Sequence, residues 1–173
     1  FDIADVINSL NEKLIFRHPH IYGDVEVKDE EEVKQNWEKL KLKEGNKSVL
    51  SGVTKGTPSL IKAFRIQDKV KGIGFEFANA EDAWKKVEEE LEEFHAETNL
   101  EQKEMELGDV FFSLVNYARI SGINPDSALE RTNNKFITRF QKMENLALDK
   151  NLKLENLSLE EMDLLWEEAK KGE

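Results

Sequence analysis

Residues 57 to 161 are punctuated four times by one kind of signal: a short polar residue followed at once by proline, or three residues later by an acid. Thr57-Pro58 and Asn124-Pro125 have the first form, Asn79 with Asp82 and Ser158 with Glu161 the second. Such a residue caps the free N–H groups of a helix's first turn, and proline suits the first helical position because its missing N–H would be unpaired there anyway. The signals predict helices from Thr57 to Gly72 or Gly74, from Asn79 to about Thr98, from about Leu100 to Gly122, from Asn124 to about Lys150, and a short one after Ser158 that carries Trp166. No stretch here alternates with period two over a useful length, so the chain reads as all-α.

Charge narrows the chemistry. The chain has 25 Lys and Arg against 36 Asp and Glu, a net charge of −11. Nucleic acid and anionic lipid recruit basic surfaces, so neither is expected as primary ligand. An acidic protein that handles phosphates needs a divalent cation between them. With no cysteine in the chain, disulfides, thiolate zinc sites and cysteine nucleophiles are excluded. No apolar run approaches the roughly 20 residues of a membrane span. The first residue is Phe1, with no signal-peptide pattern after it. A soluble, cytoplasmic piece of a longer chain is expected.

Two acidic pairs stand out. On the Asn79 helix, at about 100° per residue, Ala83, Val87, Leu91 and Phe94 form the apolar stripe. Glu90 lies beside it, with Glu93 and Lys86 just beyond on the same flank, while Glu88, Glu89 and Glu92 turn away. On the next helix, Leu107 to Ile120 is apolar over most of its circumference, which predicts burial. Yet Gln102, Glu106, Asp109, Ser113 and Asn116 fall on one narrow polar strip, with Gly108 between the two acids to let a ligand or helix approach. Antiparallel neighbours bring Glu90 and Glu93 to face Glu106 and Asp109. Four carboxylates without an imidazole suit a hard cation, Mg²⁺ or Mn²⁺. Taken alone, Glu90 and Glu93 also read as a solvated acidic face.

Other features carry two readings each. Glu92-Glu93-Phe94-His95 contains the Glu-x-x-His spacing of di-iron bundles, but that design needs a second copy and none exists, so His95 reads as a packed or surface residue. Lys135 and Arg139, one turn apart beside the stripe of Leu129, Phe136, Phe140 and Met143, either grip phosphate or are simply solvated. Trp166, Trp84 and Phe75 could stack on a base, although aromatic residues at helical spacing more often pack in a core. Gly72-Ile73-Gly74 is a helix terminator rather than a phosphate cradle. An internal echo links Asn11-Glu12-Lys13 and Arg17 to Asn133-Asn134-Lys135 and Arg139, on two amphipathic runs. Between them, residues 25 to 56 are rich in Lys and Glu and read as a flexible, partly helical connection.

Glu89-Glu90-Leu91-Glu92-Glu93 followed by Glu106-Leu107-Gly108-Asp109 resembles the EExxE…ExxD signature of the all-α nucleoside triphosphate pyrophosphohydrolases, and of MazG in particular. The Lys69 to Phe75 lead-in, Gly108-Asp109-Val110-Phe111-Phe112, Asn133-x-Lys135-x-x-x-Arg139 and Arg17 to Asp24 carry the likeness over essentially the whole chain. The resemblance implies a four-helix-bundle-type unit over 51–173 with a short C-terminal helix. Before it would come a charged linker over 25–50 and, over 1–24, the helical remnant of an earlier tandem unit. It implies hydrolysis of a nucleoside triphosphate to monophosphate and pyrophosphate, as a homodimer or larger homo-oligomer. Glu90, Glu93, Glu106 and Asp109 would hold Mg²⁺, with Mn²⁺ a possible substitute, and Glu89 would act as base or outer support. Lys86, Lys135 and Arg139 would bind phosphate, with Trp166 a further substrate contact. The other reading is a non-catalytic helical oligomerisation or regulatory module whose acids are solvated faces.

Overall fold

A computed structural model describes residues 1–29, 32–33, 36, 40 and 48–171. Much of the charged connection expected over 25–56 lies outside the described residues. All regular structure in the described residues is helical, in agreement with the all-α expectation: α1 (Ile3–Arg17), α2 (Pro19–Tyr22), α3 (Ser59–Lys71), α4 (Ala80–Ala96), α5 (Leu100–Ile120), α6 (Pro125–Asp149), a 3₁₀ turn (Leu154–Asn156) and α7 (Leu159–Lys170). None of these helices is long and apolar enough to cross a membrane. The chain forms two compact units, Phe1–Gly122 and Ile123–Glu173.

The caps explain most of the boundaries. The N–H of Asp82 donates to Asn79 Oδ1 at 2.9 Å, and that of Ser127 donates to Asn124 Oδ1 at 2.9 Å. Ser158 and Glu161 form a reciprocal capping box. One start differs from expectation, and the cap of α5 is not named from the sequence. The Thr57 hydroxyl bonds that of Thr54 (2.5 Å) instead of capping, so Pro58 itself takes the N-cap position of α3. Asn99 caps α5, accepting from Glu101 and Gln102. At the far ends, Gly74 (φ 87°) and Gly122 (φ 72°) adopt left-handed backbone just past α3 and α5.

In the first unit α5 packs against both α4 and α3. The link from α4 to α5 is Glu97-Thr98-Asn99, and Glu97 Oε1 accepts from the N–H groups of Thr98 (2.7 Å) and Asn99 (2.6 Å). So short a link makes the two helices antiparallel neighbours. Ala83 and Val87 of α4 and Val110 and Val115 of α5 are the buried apolar residues here. The expectation that α5 is buried nearly all round is not met within one chain. Leu107, Phe111, Phe112 and Leu114 are exposed, because a single antiparallel partner and α3 cover only part of its circumference. The opening at Gly108 also faces open space, with nothing within 4 Å of where a Cβ would stand. At the N-terminus, α1 is capped by Asp2 and Asp5, yet none of its residues is buried.

The second unit is a helical hairpin of α6 and α7. Its core is Met143 and Ala147 of α6 against Leu165 and Ala169 of α7, flanked by Leu146, Leu154, Leu157 and Trp166. Leu165 is 4% exposed and Leu159, on the same helix, 72% exposed. Leu165→Ala should therefore cost about 2–5 kcal/mol through lost transfer energy and a residual cavity, while Leu159→Ala should stay within about 0.5 kcal/mol. Urea denaturation of the two variants checks the ordering, and equal losses would contradict this account of the core.

Candidate metal centre

The α4 stripe that packs on α5 also buries one acid. Glu90 lies one turn after Lys86 and next to Val87, and is 7% exposed. A charge in that position needs a partner, and Lys86 Nζ supplies it at 2.7 Å. The same ammonium donates to Glu89 at 2.8 Å, so Lys86 sits between two carboxylates, which hold its pKa above the usual lysine range through hydrogen bonds to Glu89 and then Glu90. Glu89 is exposed, as the helical wheel predicts, but its carboxylate reaches Lys86 on the flank of Glu90, whereas the wheel turns it away from that flank.

Antiparallel packing brings α5's acids opposite these. One carboxylate oxygen each from Glu90, Glu93 and Glu106 lies within 4.8 Å of the others. Among the described residues this cluster contains no histidine. His95 instead sets its Nδ1 2.6 Å from the carbonyl of Leu91 and packs its ring against Phe94. The donor set is all oxygen and anionic, which fits Mg²⁺ or Mn²⁺ and gives soft or nitrogen-preferring metals no matching ligand. Asp109 stands outside this tight group, exposed and one turn beyond Glu106. It is close enough to act on it: the Glu106 pKa is raised, first by desolvation, then by the negative charges of Glu93, Asp109 and Glu90. The cluster stores like-charge repulsion that a cation would relieve.

The α5 polar strip continues away from the acids. Asp109, Ser113 and Asn116 line a cavity of about 480 Å³, together with Lys86 and Glu90 of α4. Gln67 of α3, Arg119 of α5 and Phe75 also line it. Of the three aromatic residues named from the sequence, only Phe75 belongs to this cavity. Trp84 packs edge-on against Tyr117 at 4.9 Å and donates to Glu88, while Trp166 lies 5.0 Å from Phe136 within the second unit. Lys135 is exposed and Arg139 half-buried on α6. Sequence reasoning missed Gln67, Glu76 and Arg119. Arg119 looks like an ordinary last-turn cation, and Gln67 carries no spacing signal at all.

The profile of the MazG nucleotide pyrophosphohydrolase domain matches residues 79–143, starting at the α4 cap and including both acidic pairs. Over its whole length the chain is 41% identical to the nucleoside triphosphate pyrophosphohydrolase/pyrophosphatase MazG of Thermotoga maritima and covers 68% of that protein. It is 31% identical to the nucleoside triphosphate pyrophosphohydrolase of Escherichia coli, of which it covers 69%. It is 43% identical to YabN of Bacillus subtilis, an uncharacterized protein of which it spans 37%. With the converging carboxylates, the all-helical fold and full-length identity to two such hydrolases, this chain belongs to the MazG family of nucleotide pyrophosphohydrolases.

Proposed function

We propose that the protein hydrolyses ribo- or deoxyribonucleoside triphosphates between the α and β phosphates, releasing nucleoside monophosphate and pyrophosphate, in the cytoplasmic nucleotide pool. The convergence of Glu90, Glu93 and Glu106 carries this reading, because three carboxylates gathered this closely, one of them buried, repel one another and offer a cation an all-oxygen ligand set. Glu90, Glu93, Glu106 and Asp109 would hold Mg²⁺, with Mn²⁺ as substitute. Bound there, the metal supplies charge neutralisation for the triphosphate and a more acidic water.

The chain's own groups do the rest. Lys86 now pairs with Glu90 and Glu89. Once Glu90 is committed to a cation, this ammonium becomes available to phosphate oxygens. Glu89 stays within reach of it as proton acceptor or outer support. Lys135 and Arg139 are proposed to bind phosphate, and Trp166 to contact substrate. The exposed Phe111, Phe112 and Leu114 on α5 support a homodimer or larger homo-oligomer that covers them. The uncovered stripe of Ile3, Ile7, Leu10 and Leu14 on α1 and its echo on α6 support residues 1–24 as the closing part of an earlier unit, joined through 25–50 to the catalytic unit over 51–173.

A product assay tests the activity. Nucleoside triphosphates with Mg²⁺ should give monophosphate and pyrophosphate, and chelation should stop the reaction. Glu106→Gln and Asp109→Asn should each lower kcat/KM at least about a hundredfold, since each removes a ligand to the charge that opposes the triphosphate. Diphosphate plus phosphate as products would show the wrong bond, and turnover that survives chelation would remove the metal. Absence of turnover with metal still bound would restore the non-catalytic module.

Stored repulsion gives an independent test. Because the folded-state pKa of Glu106 lies above its ordinary value of 4.5, ionised Glu106 destabilises the fold. The penalty is present above the folded pKa and absent below the unfolded one. Metal-free Glu106→Gln should thus melt at a higher temperature than metal-free wild type at neutral pH, and the advantage should vanish below about pH 4. Added Mg²⁺ should raise the Tm of wild type more than that of the variant. A variant that melts lower at neutral pH would show Glu106 to be a structural acid.

A further inference from the structure

The cavity in the first unit has two chemically different ends. Glu90, Asp109 and Lys86 stand at one. Arg119 lies ten residues beyond Asp109 on α5, about 15 Å along the helix axis. There its guanidinium is held by Glu76 at 2.5 Å and by Asn116 Oδ1 at 2.9 Å. Ile66, Val70 and Phe112 supply apolar wall between the ends, and Phe75 an exposed aromatic face. A volume of about 480 Å³ falls within the roughly 300–1,000 Å³ of small-molecule sites. The span suits a nucleoside extending from a phosphate chain at the acids.

Gln67 gives this cavity its polarity. It is 3% exposed, and its Nε2 donates to the carbonyl of Phe112 at 2.8 Å. That bond fixes the amide, because a flipped one would set oxygen against oxygen. Oε1 is left buried without a hydrogen-bond partner among the described residues, and so is Nε of Arg119. Unpaired buried polar atoms are uncommon because each forgoes the bonds it made with water. Here an acceptor and a donor are left unpaired on residues that line one cavity.

We propose that this cavity takes the nucleoside part of the substrate and that Gln67 is a specificity-determining residue, its Oε1 accepting a hydrogen bond from an N–H on the edge of the base. Arg119 Nε provides a donor for an acceptor atom of the same base. The inference rests on the reading that the triphosphate lies at the Glu90 cluster, and it adds what selects the nucleoside.

The test uses the full chain with Mg²⁺, the common nucleoside triphosphates and ribose 5-triphosphate, which has no base. Gln67→Met keeps the volume, and its fold is checked by Tm. It should raise KM about tenfold for the preferred nucleoside triphosphate, a loss of one buried hydrogen bond, and leave ribose 5-triphosphate unchanged. On wild type, methylating the edge N–H of the preferred base should cost a similar factor, and on Gln67→Met it should cost little more. Equal losses on the base-free substrate, or an equal methylation penalty in both proteins, would overturn the proposal by reducing Gln67 to a tie between α3 and α5. Should wild type cleave none of these compounds, the pyrophosphohydrolase reading fails by itself. The cavity is then judged by ligand-observed NMR with metal-free protein and plain nucleosides: binding lost in Gln67→Met upholds it, and no binding to wild type overturns it.

Discussion

A buried carboxylate sets the terms for the first unit. Glu90 sits on the face of α4 that packs on α5, where an unpaired charge would be untenable, and Lys86 one turn earlier balances it. Ala83 and Val87 share that face, so the apolar contact and the acid cannot be separated by rotating the helix. Once α4 is fixed in this rotation, Glu93 follows on the same flank, and the short antiparallel link delivers Glu106 to the same place. The geometry gathers negative charge around one buried carboxylate, Glu90, with the exposed Glu93 and half-buried Glu106 beside it. The arrangement costs stability through like-charge repulsion. That cost, beside otherwise well-capped helices, is the observation that supports the proposed metal site.

How much of this is legible in the sequence depends on whether the signal is local. Caps are local, and Asn79, Asn124 and Ser158 do what their neighbours predict. Thr57 does not, because a closer hydroxyl at Thr54 competes for it. The polar strip of α5 is local too, and its spacing carries Ser113 and Asn116 into the cavity wall alongside Asp109. Hydrophobicity is less informative. It says that Phe111 and Leu114 need cover and not what provides it, so an expected buried helix is half open in the single chain. The far end of the cavity is not legible. Gln67, Glu76 and Arg119 come from two helices and a loop, and only the packing of α3 on α5 sets the amide of Gln67 against the Phe112 carbonyl.

On the proposed reading, the charges of opposite sign at the site would let a chain of net charge −11 accept a polyanion. In the metal-free protein the nearest ammonium is already used, since Lys86 answers Glu90 and Glu89. On that reading, a triphosphate arriving in that state would meet the carboxylates of Glu93, Glu106 and Asp109 while Lys86 is held by its own partners, and repulsion would win. A divalent ion at the glutamates changes both sides of the balance. On the proposed reading it would neutralise the acids and lower the demand on Lys86, adding positive charge and leaving that ammonium to the phosphates. Metal and substrate affinity must then be coupled, and by linkage the coupling is reciprocal: whatever the ion contributes to holding the triphosphate, the triphosphate contributes to holding the ion. On the same reading the Lys86–Glu90 pair would be a placeholder, keeping a buried carboxylate tolerable while no cation is bound.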